Sequence, residues 1–317
     1  MAKMSSFPIR IISLALFSIS FLPSLNNGQL TRHSILTRAK IVYHGGPILI
    51  ETINVALIWY GNVSLNKKEA IASFLKSLNT DGNFNLQPQV TKWWKMVESY
   101  QAMLPGAKHD KVPKIIVNVA KQINDTSYKY GRNLTIGDFI TKIVKEHTKE
   151  AKNMLPIIIT AKDVNMEGVC TKTCAYNGIV GNITPYIILG NPELECPRKC
   201  EWPFIQIDSG PKSIFFLQPP NLDKAADAMV IALATTLADT VTNPLNTGFY
   251  DGLPKNSIGV GTACKAIFGS GAFPGNPGKV HIDAHTGGSF NAHGIKDQKF
   301  LLPAIWNPKT SSCWTLM

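Results

Sequence analysis

The chain is 317 residues long, 44% hydrophobic and 17% charged, with a formal charge of +11 at pH 7. The hydrophobic share supports a real core and excludes a disordered chain, which lacks the apolar area to offset the entropy of ordering. No internal repeat, low-complexity tract or second long apolar run appears, so a soluble globular product is expected.

At the amino terminus, Lys3 and Arg10 precede the apolar run Ile11 to Leu22, which stops at Pro23-Ser24. A charged start, a short apolar stretch and then Asn26, Asn27 and Gly28 predict a secretory signal peptide over residues 1–28, cleaved between about 24 and 30. The run falls short of the roughly 20 apolar residues that cross a bilayer, so no transmembrane segment is expected. Residues 29–317 are read as a single α/β domain. Export predicts glycans and disulfides. Sequons occur at Asn62-Val-Ser64, Asn124-Asp-Thr126, Asn133-Leu-Thr135 and Asn182-Ile-Thr184. The 6 cysteines are an even set, Cys170, Cys174, Cys196, Cys200, Cys264 and Cys313. An oxidising lumen favours disulfides over thiolate zinc sites, and the spacing leaves the connectivity open. Outside the cell a basic surface seeks acidic polymers, so acidic polysaccharide or an anionic membrane surface is favoured over nucleic acid. Scattered lysines also serve plain solubility.

Ile53 to Tyr60 is an apolar, β-rich run that reads as a strand covered on both faces. Ser64 then caps a helix whose Ile71, Phe74, Leu75 and Leu78 form one apolar stripe, and Gly82 closes that unit. Val90, Trp93, Trp94 and Val97 repeat the spacing, which puts the paired tryptophans in the core and not on a sugar platform. Lys114 to Val119 reads as a second strand. Thr135-Ile-Gly-Asp138 opens a third helix, with Phe139, Ile140, Ile143 and Val144 facing inward. Leu155 to Thr160 reads as another strand. From Glu167 to Pro220 the chain is loop-rich, with short apolar runs at Tyr186 to Leu189 and Ser213 to Leu217. Asn221 is placed as the cap of a helix over 222–241 that is apolar nearly all round and must be buried; Asn243-Pro244 ends it. The glycine-rich tail reads as ordered loops and short strands, anchored by Phe300-Leu-Leu-Pro303 and Ala304-Ile-Trp306. The expected class is α/β: a layered mixed sheet with flanking helices and a disulfide-pinned, loop-rich carboxyl-terminal half.

Five blocks of sequence carry a family resemblance: Cys196-Pro-Arg-Lys-Cys200-Glu-Trp-Pro203, Thr242-Asn-Pro244, Gly269-Ser-Gly-Ala-Phe-Pro-Gly275, Ser289-Phe-Asn-Ala-His-Gly294 and Lys299-Phe-Leu-Leu-Pro-Ala304. In this order, behind a leader and before Cys313, they resemble the plant EXORDIUM family, also called phosphate-induced protein 1. The resemblance implies export to the apoplast and cell wall and a part in growth responses linked to brassinosteroid and carbon status. It implies no secure catalytic activity. The helix before Thr-Asn-Pro is also similar to the active-site helix of zincin-like microbial proteins that read His-Glu-x-x-Glu before Thr-Asp-Pro. Carried over, Thr235 takes the histidine position, Thr236 that of the general base, and Asp239 that of the second ligand. Threonine is a poor zinc ligand and no base at neutral pH, and Ile258 to Ala263 holds no carboxylate for a third ligand. On that likeness the fold is a zincin-like scaffold with a degenerate active-site helix.

One other stretch has ligand chemistry. His281-Ile-Asp283-Ala-His285 would put three donors on one face of a strand. Its shortness and flanking glycines favour a wet polar edge, so no metal or other cofactor is expected. His293 is read as turn chemistry. The expectation is a non-catalytic, growth-related wall protein that binds an acidic cell-wall polysaccharide or an extracellular receptor; the alternative is a secreted metal-dependent hydrolase.

Overall fold

The structure, a computed structural model, describes residues 39–107, 112–148, 154–170, 172–194, 200–206 and 216–317. The leader read over residues 1–28 and Cys196 lie outside the described residues. A short lead-in strand, β1 (Val42–Tyr43), pairs with the equally short β9 (Phe249–Tyr250). The centre of the molecule is β2 (Thr52–Tyr60), in which Val55 to Tyr60 are all fully buried. A strand covered on both faces has no wet side to alternate with, which is why its sequence is a continuous apolar run.

On one side of β2 runs β3 (Ile116–Asp125) and on the other β5 (Met154–Thr160), both parallel to it. The pair β4 (Asn133–Leu134) and β6 (Asn165–Met166) lies outside this sheet. Beside β5 the sheet continues with parallel β8 (Thr184–Leu189) and ends on antiparallel β7 (Ala175–Val180), giving the order β3-β2-β5-β8-β7. Crossovers between parallel strands are right-handed, so the connections from β2 to β3 and from β3 to β5, which move in opposite directions, lie on opposite faces. The first face carries α1 (Leu65–Ser77) and α2 (Val90–Glu98), the second α3 (Ile136–Thr148). The long α4 (Lys224–Thr242) packs against α1, β7 and β8.

Met229, Leu233, Ala234, Leu237 and Val241 of α4 are at most 1% exposed. Of these, Met229, Leu233, Leu237 and Val241 each contribute about 1.5–3 kcal/mol by leaving water. The tryptophan pair is core, as its place on the buried stripe requires: the Trp93 Nε1–H donates to Pro303 O at 2.7 Å and the Trp94 Nε1–H to Ile115 O at 2.8 Å. The tail is a series of two-stranded pairs: β10 (His281–Ile282) with β11 (Ser289–Phe290), β12 (Ala292–His293) with β13 (Lys299–Phe300), and β14 (Ile305–Asn307) with β15 (Ser312–Trp314). Phe300, Leu302, Ile305 and Trp306 join the same core cluster as β2, so the tail is part of one body.

Several boundaries differ from the sequence reading. Ser64 holds the N-cap position of α1 but makes no side-chain cap bond. That helix ends at Ser77, and Gly82 instead marks a close approach, since a Cβ there would lie 2.2 Å from Gly294 O. α4 is capped by Asp223, which accepts from Ala226 N at 3.0 Å, and not by Asn221. The reason is that Asn221 is committed elsewhere, donating through its backbone and side chain to Asp227. β3 runs past Val119 to Asp125 with a register shift opposite Val55/Ala56, which breaks the simple apolar run. The region from Glu167 onward, read as loop-rich, supplies β7 and β8 of the main sheet. Phe216 and Leu217 are not strand; Leu217 N donates to Pro203 O. His293 lies in β12, not in a turn, and is buried.

Cys174 pairs with Cys200 and Cys264 with Cys313, closing separations of 26 and 49 residues. Cys170 is disulfide-bonded as well. No described cysteine is free.

Candidate functional site

Two places hold the chemistry that the sequence singles out. The first is the largely buried turn of α4 near its end. Thr235 Oγ1 donates to Ile231 O at 3.0 Å, back into its own helix, which leaves that hydroxyl committed as a donor to the backbone. Thr236 is 7% exposed. Asp239, one turn after Thr235, is buried but not vacant. Its Oδ1 accepts from Gly261 N at 2.6 Å and Thr262 N at 3.3 Å, and its Oδ2 accepts from Thr262 Oγ1 at 2.5 Å.

Segment 259–262 therefore lies flat on the helix face. Two glycines permit the approach: a Cβ on Gly259 would sit 2.3 Å from Asp239 Oδ1, and one on Gly261 would sit 2.6 Å from Thr235 O. The other side of the segment is fixed too. Trp306 N donates to Val260 O at 2.9 Å, and Cys264–Cys313 ties the next residues to β15. Burial raises the Asp239 carboxyl to about 6, against the pull of its bonds from Thr262 and Gly261. Burial by the same packing, with the Asp239 charge adding to it, pushes the neighbouring Tyr100 hydroxyl far up. Zinc does not fit this donor set, because threonine hydroxyls are poor zinc ligands and the Asp239 carboxylate is already spent on three hydrogen bonds from Gly261 and Thr262. The sequence reading identified Asp239 but not its clamp. Gly259-Val-Gly-Thr262 just before Cys264 was the available signal.

The same helix buries a second carboxylate, Asp227, near its start. It accepts from Asn221 N at 2.9 Å and from Asn221 Nδ2 at 2.5 Å, and burial raises it to about 7. Asn221 Nδ2 also reaches Lys299 O at 3.1 Å. α4 thus holds a loop through a buried carboxylate near each end.

The second place is His281 to His285, and there the expected strand face is not formed. β10 ends at Ile282, and Asp283 turns the chain: its Oδ1 accepts from His285 N at 2.8 Å and Thr286 N at 2.9 Å, while Lys299 pairs with Oδ2. His281 packs on Phe290 with ring centroids 5.3 Å apart. The backbone bonds that Asp283 accepts are those of a turn, which is why alternation could not continue. Among the described residues no group of three or more His, Cys, Asp or Glu side chains is placed to hold a metal.

The sequon asparagines Asn62, Asn124, Asn133 and Asn182 are all exposed. Asn124 lies opposite Trp59 and Asn62 follows the end of β2, so both sit at the carboxyl-terminal pole of the parallel strands. Asn182 lies in the β7–β8 turn at the opposite pole.

A family model described as the phosphate-induced protein 1 conserved region matches residues 41–316. Protein EXORDIUM-like 6 of Arabidopsis thaliana is 39% identical, over 84% of this chain and 89% of that one. Protein PHOSPHATE-INDUCED 1 of Nicotiana tabacum and Protein EXORDIUM of Arabidopsis thaliana are each 36% identical, over 87% of this chain and 88% of theirs. No solved structure matches. On a match that spans the described fold from β1 to the last strand, the chain belongs to the phosphate-induced protein 1 family, that of the EXORDIUM proteins.

Proposed function

We propose that the chain is an exported, growth-related plant glycoprotein without catalytic activity, which holds acidic cell-wall polysaccharide through its basic surface. The observation that carries the non-catalytic reading is the clamp at Asp239. A helix that once could present ligands to a metal now presents a buried carboxylate to segment 259–262, on glycines that let the backbone close over it. The zincin-like ancestry of that helix is part of the same proposal. Export is supported by the leader pattern, by cysteines held as disulfides and by four exposed sequons. A hydrolase working from His281, Asp283 and His285 has no support in the geometry, because Asp283 is spent on a turn and on Lys299.

The names of the relatives, EXORDIUM and PHOSPHATE-INDUCED 1, point to growth and nutrient responses and not to a reaction. A net charge of +11, which becomes 11 − 2 = +9 once Lys3 and Arg10 leave with the leader, gives the chain reach toward polyuronates. The test is retention of the purified protein on immobilised polygalacturonate as salt is raised. Contacts between surface charges should weaken steeply, since screening shortens their range to about 10 Å at 0.1 M. Retention indifferent to salt, or none at low salt, contradicts the reading.

A further inference from the structure

Charge is not spread evenly between the two poles of the parallel sheet. At the carboxyl-terminal pole several cations are paired with carboxylates, while Lys68 donates to Asn124 Oδ1 at 2.6 Å. Lys67 lies 3.2 Å from Glu193 and 3.6 Å from Asp223, Lys162 lies 3.1 Å from Glu193, and Arg132 lies 3.4 Å from Asp163. Asn62 and Asn124 occupy the same pole, and Asn182 the other, at the far edge of the sheet from β3.

The amino-terminal pole is built the other way round. α2 crosses the start of β3 there: Trp94 donates to Ile115 O, and Glu98 accepts from Ile115 N at 2.8 Å. Asn79 brackets the free edge of β3, accepting from Val117 N and donating to Val117 O, both at 2.8 Å. A cavity of about 50 Å³ opens between these elements, its polar lining being Asn79, Asp81, Thr91, Lys95, Glu98 and Lys114. It has room for a carboxylate or for water-sized groups. Lys92, one turn before Lys95 on α2, and Lys114 are exposed like Lys95 itself. Among the described residues none of the three has an ion-pair partner.

Two of the local acids are engaged by neutral donors, Glu98 by the Ile115 amide and Asp81 by the Thr91 hydroxyl, while Glu51, just before β2, is exposed. Burial holds the Glu98 carboxyl above its ordinary range, against the pull of the Ile115 amide and of the Lys114 and Lys95 charges. Three exposed cations without an ion-pair contact, beside two acids that accept from neutral donors, make a surface that gains by meeting external carboxylates.

We infer that an acidic polysaccharide docks on this amino-terminal pole, with its carboxylates at Lys92, Lys95 and Lys114 along the mouth of the cavity. The inference rests on the basic-surface reading and gives it a location. It is tested with two triple variants on polygalacturonate. Lys92→Gln/Lys95→Gln/Lys114→Gln removes the proposed contacts, whereas Lys142→Gln/Lys224→Gln/Lys279→Gln removes the same charge from exposed lysines elsewhere. The first should bind about tenfold or more weakly at 0.1 M salt and elute at lower salt, with circular dichroism unchanged; the second should stay within about threefold of wild type. Equal losses from both variants would overturn the location while leaving the basic-surface reading intact. Failure of the wild-type protein to bind at low salt would overturn both. Loss of binding to a neutral xyloglucan or cellulose matrix in the first variant would show a sugar pocket in place of a charge contact, and would also overturn it.

Discussion

The sheet half of the molecule, residues 52–160, and the tail, residues 245–317, share one core but are held in different ways. In the first, strands and helices supply each other's hydrogen bonds, and apolar stripes meet at regular spacing. In the second, the strands are two or three residues long, and single side chains serve as tethers between distant segments. Buried Asn291 donates to Phe268 O and Leu302 O at 2.8 and 2.7 Å and accepts from Leu302 N at 2.7 Å. Tyr100 donates to Trp306 O at 2.5 Å, and Asp239 holds Gly261. A tail with little regular structure thus reaches native order because each tether satisfies backbone groups that have no ladder. The lesson is that removing apolar volume should break the sheet half, whereas removing a link should open the tail.

The largest expected effect is in the sheet. Leu57 is fully buried at the centre of β2, so Leu57→Ala should cost about 2–5 kcal/mol of global stability, read from denaturant unfolding with an unchanged slope. Next is the tail link. Replacing Cys264 and Cys313 together by alanine frees a separation of 49 residues and should cost about 3–4 kcal/mol. Hydrogen exchange should then rise in 245–317 well before it rises in β2 and β5; equal rises in both regions would show that the two halves do not differ as described.

A smaller effect concerns pH, and it reports on the tethers of α4. Burial raises Asp227 to about 7 and Asp239 to about 6, above the unfolded-chain carboxylate value of 3.8. The folded chain therefore holds these protons more tightly than the unfolded one. Their contribution is complete below about pH 4 and is lost as pH rises through 6 to 7. The melting temperature should be higher at pH 5 than at pH 8, and Asp227→Asn should flatten that decline. A melting temperature that climbs from pH 5 to pH 8 would show that the hydrogen bonds from Asn221 and Thr262 outweigh desolvation. The smallest effect separates the regions by modification: every sequon lies before β8 ends and none falls in 245–317. Glycosidase treatment of the exported protein should shift the mass of proteolytic fragments that carry Asn62, Asn124, Asn133 or Asn182 and of none from 245–317.

The same contrast explains what the sequence disclosed. β2, α1, α2 and α3 were legible because burial on one stripe or on two faces leaves a period in the residues. α4 was legible from apolar residues all round, although its cap was misplaced: Asn221 and Asp223 are both good caps in isolation, and only the pairing of Asn221 with Asp227 decides between them. β7, with the sequence AYNGIV, has no alternation to mark it as an edge strand. In the candidate site, the threonines and Asp239 could be aligned to an active-site helix, but their fate depends on a segment more than twenty residues away. His281 to His285 has a strand's spacing, yet a single aspartate accepting two backbone amides turns the chain. Contacts of that kind leave no period to read.

The central claim is that the face of α4 bearing Thr235 and Thr236 is a packed structural surface and that function lies in the basic exterior. The most direct test is the double variant Thr235→Ala/Thr236→Ala, measured for retention on polygalacturonate beside its melting temperature. The account predicts retention within about twofold of wild type, with a stability loss of order 1 kcal/mol per hydroxyl whose hydrogen bond is removed. Retention abolished at an unchanged melting temperature would contradict it, since the helix face would then be a working pocket.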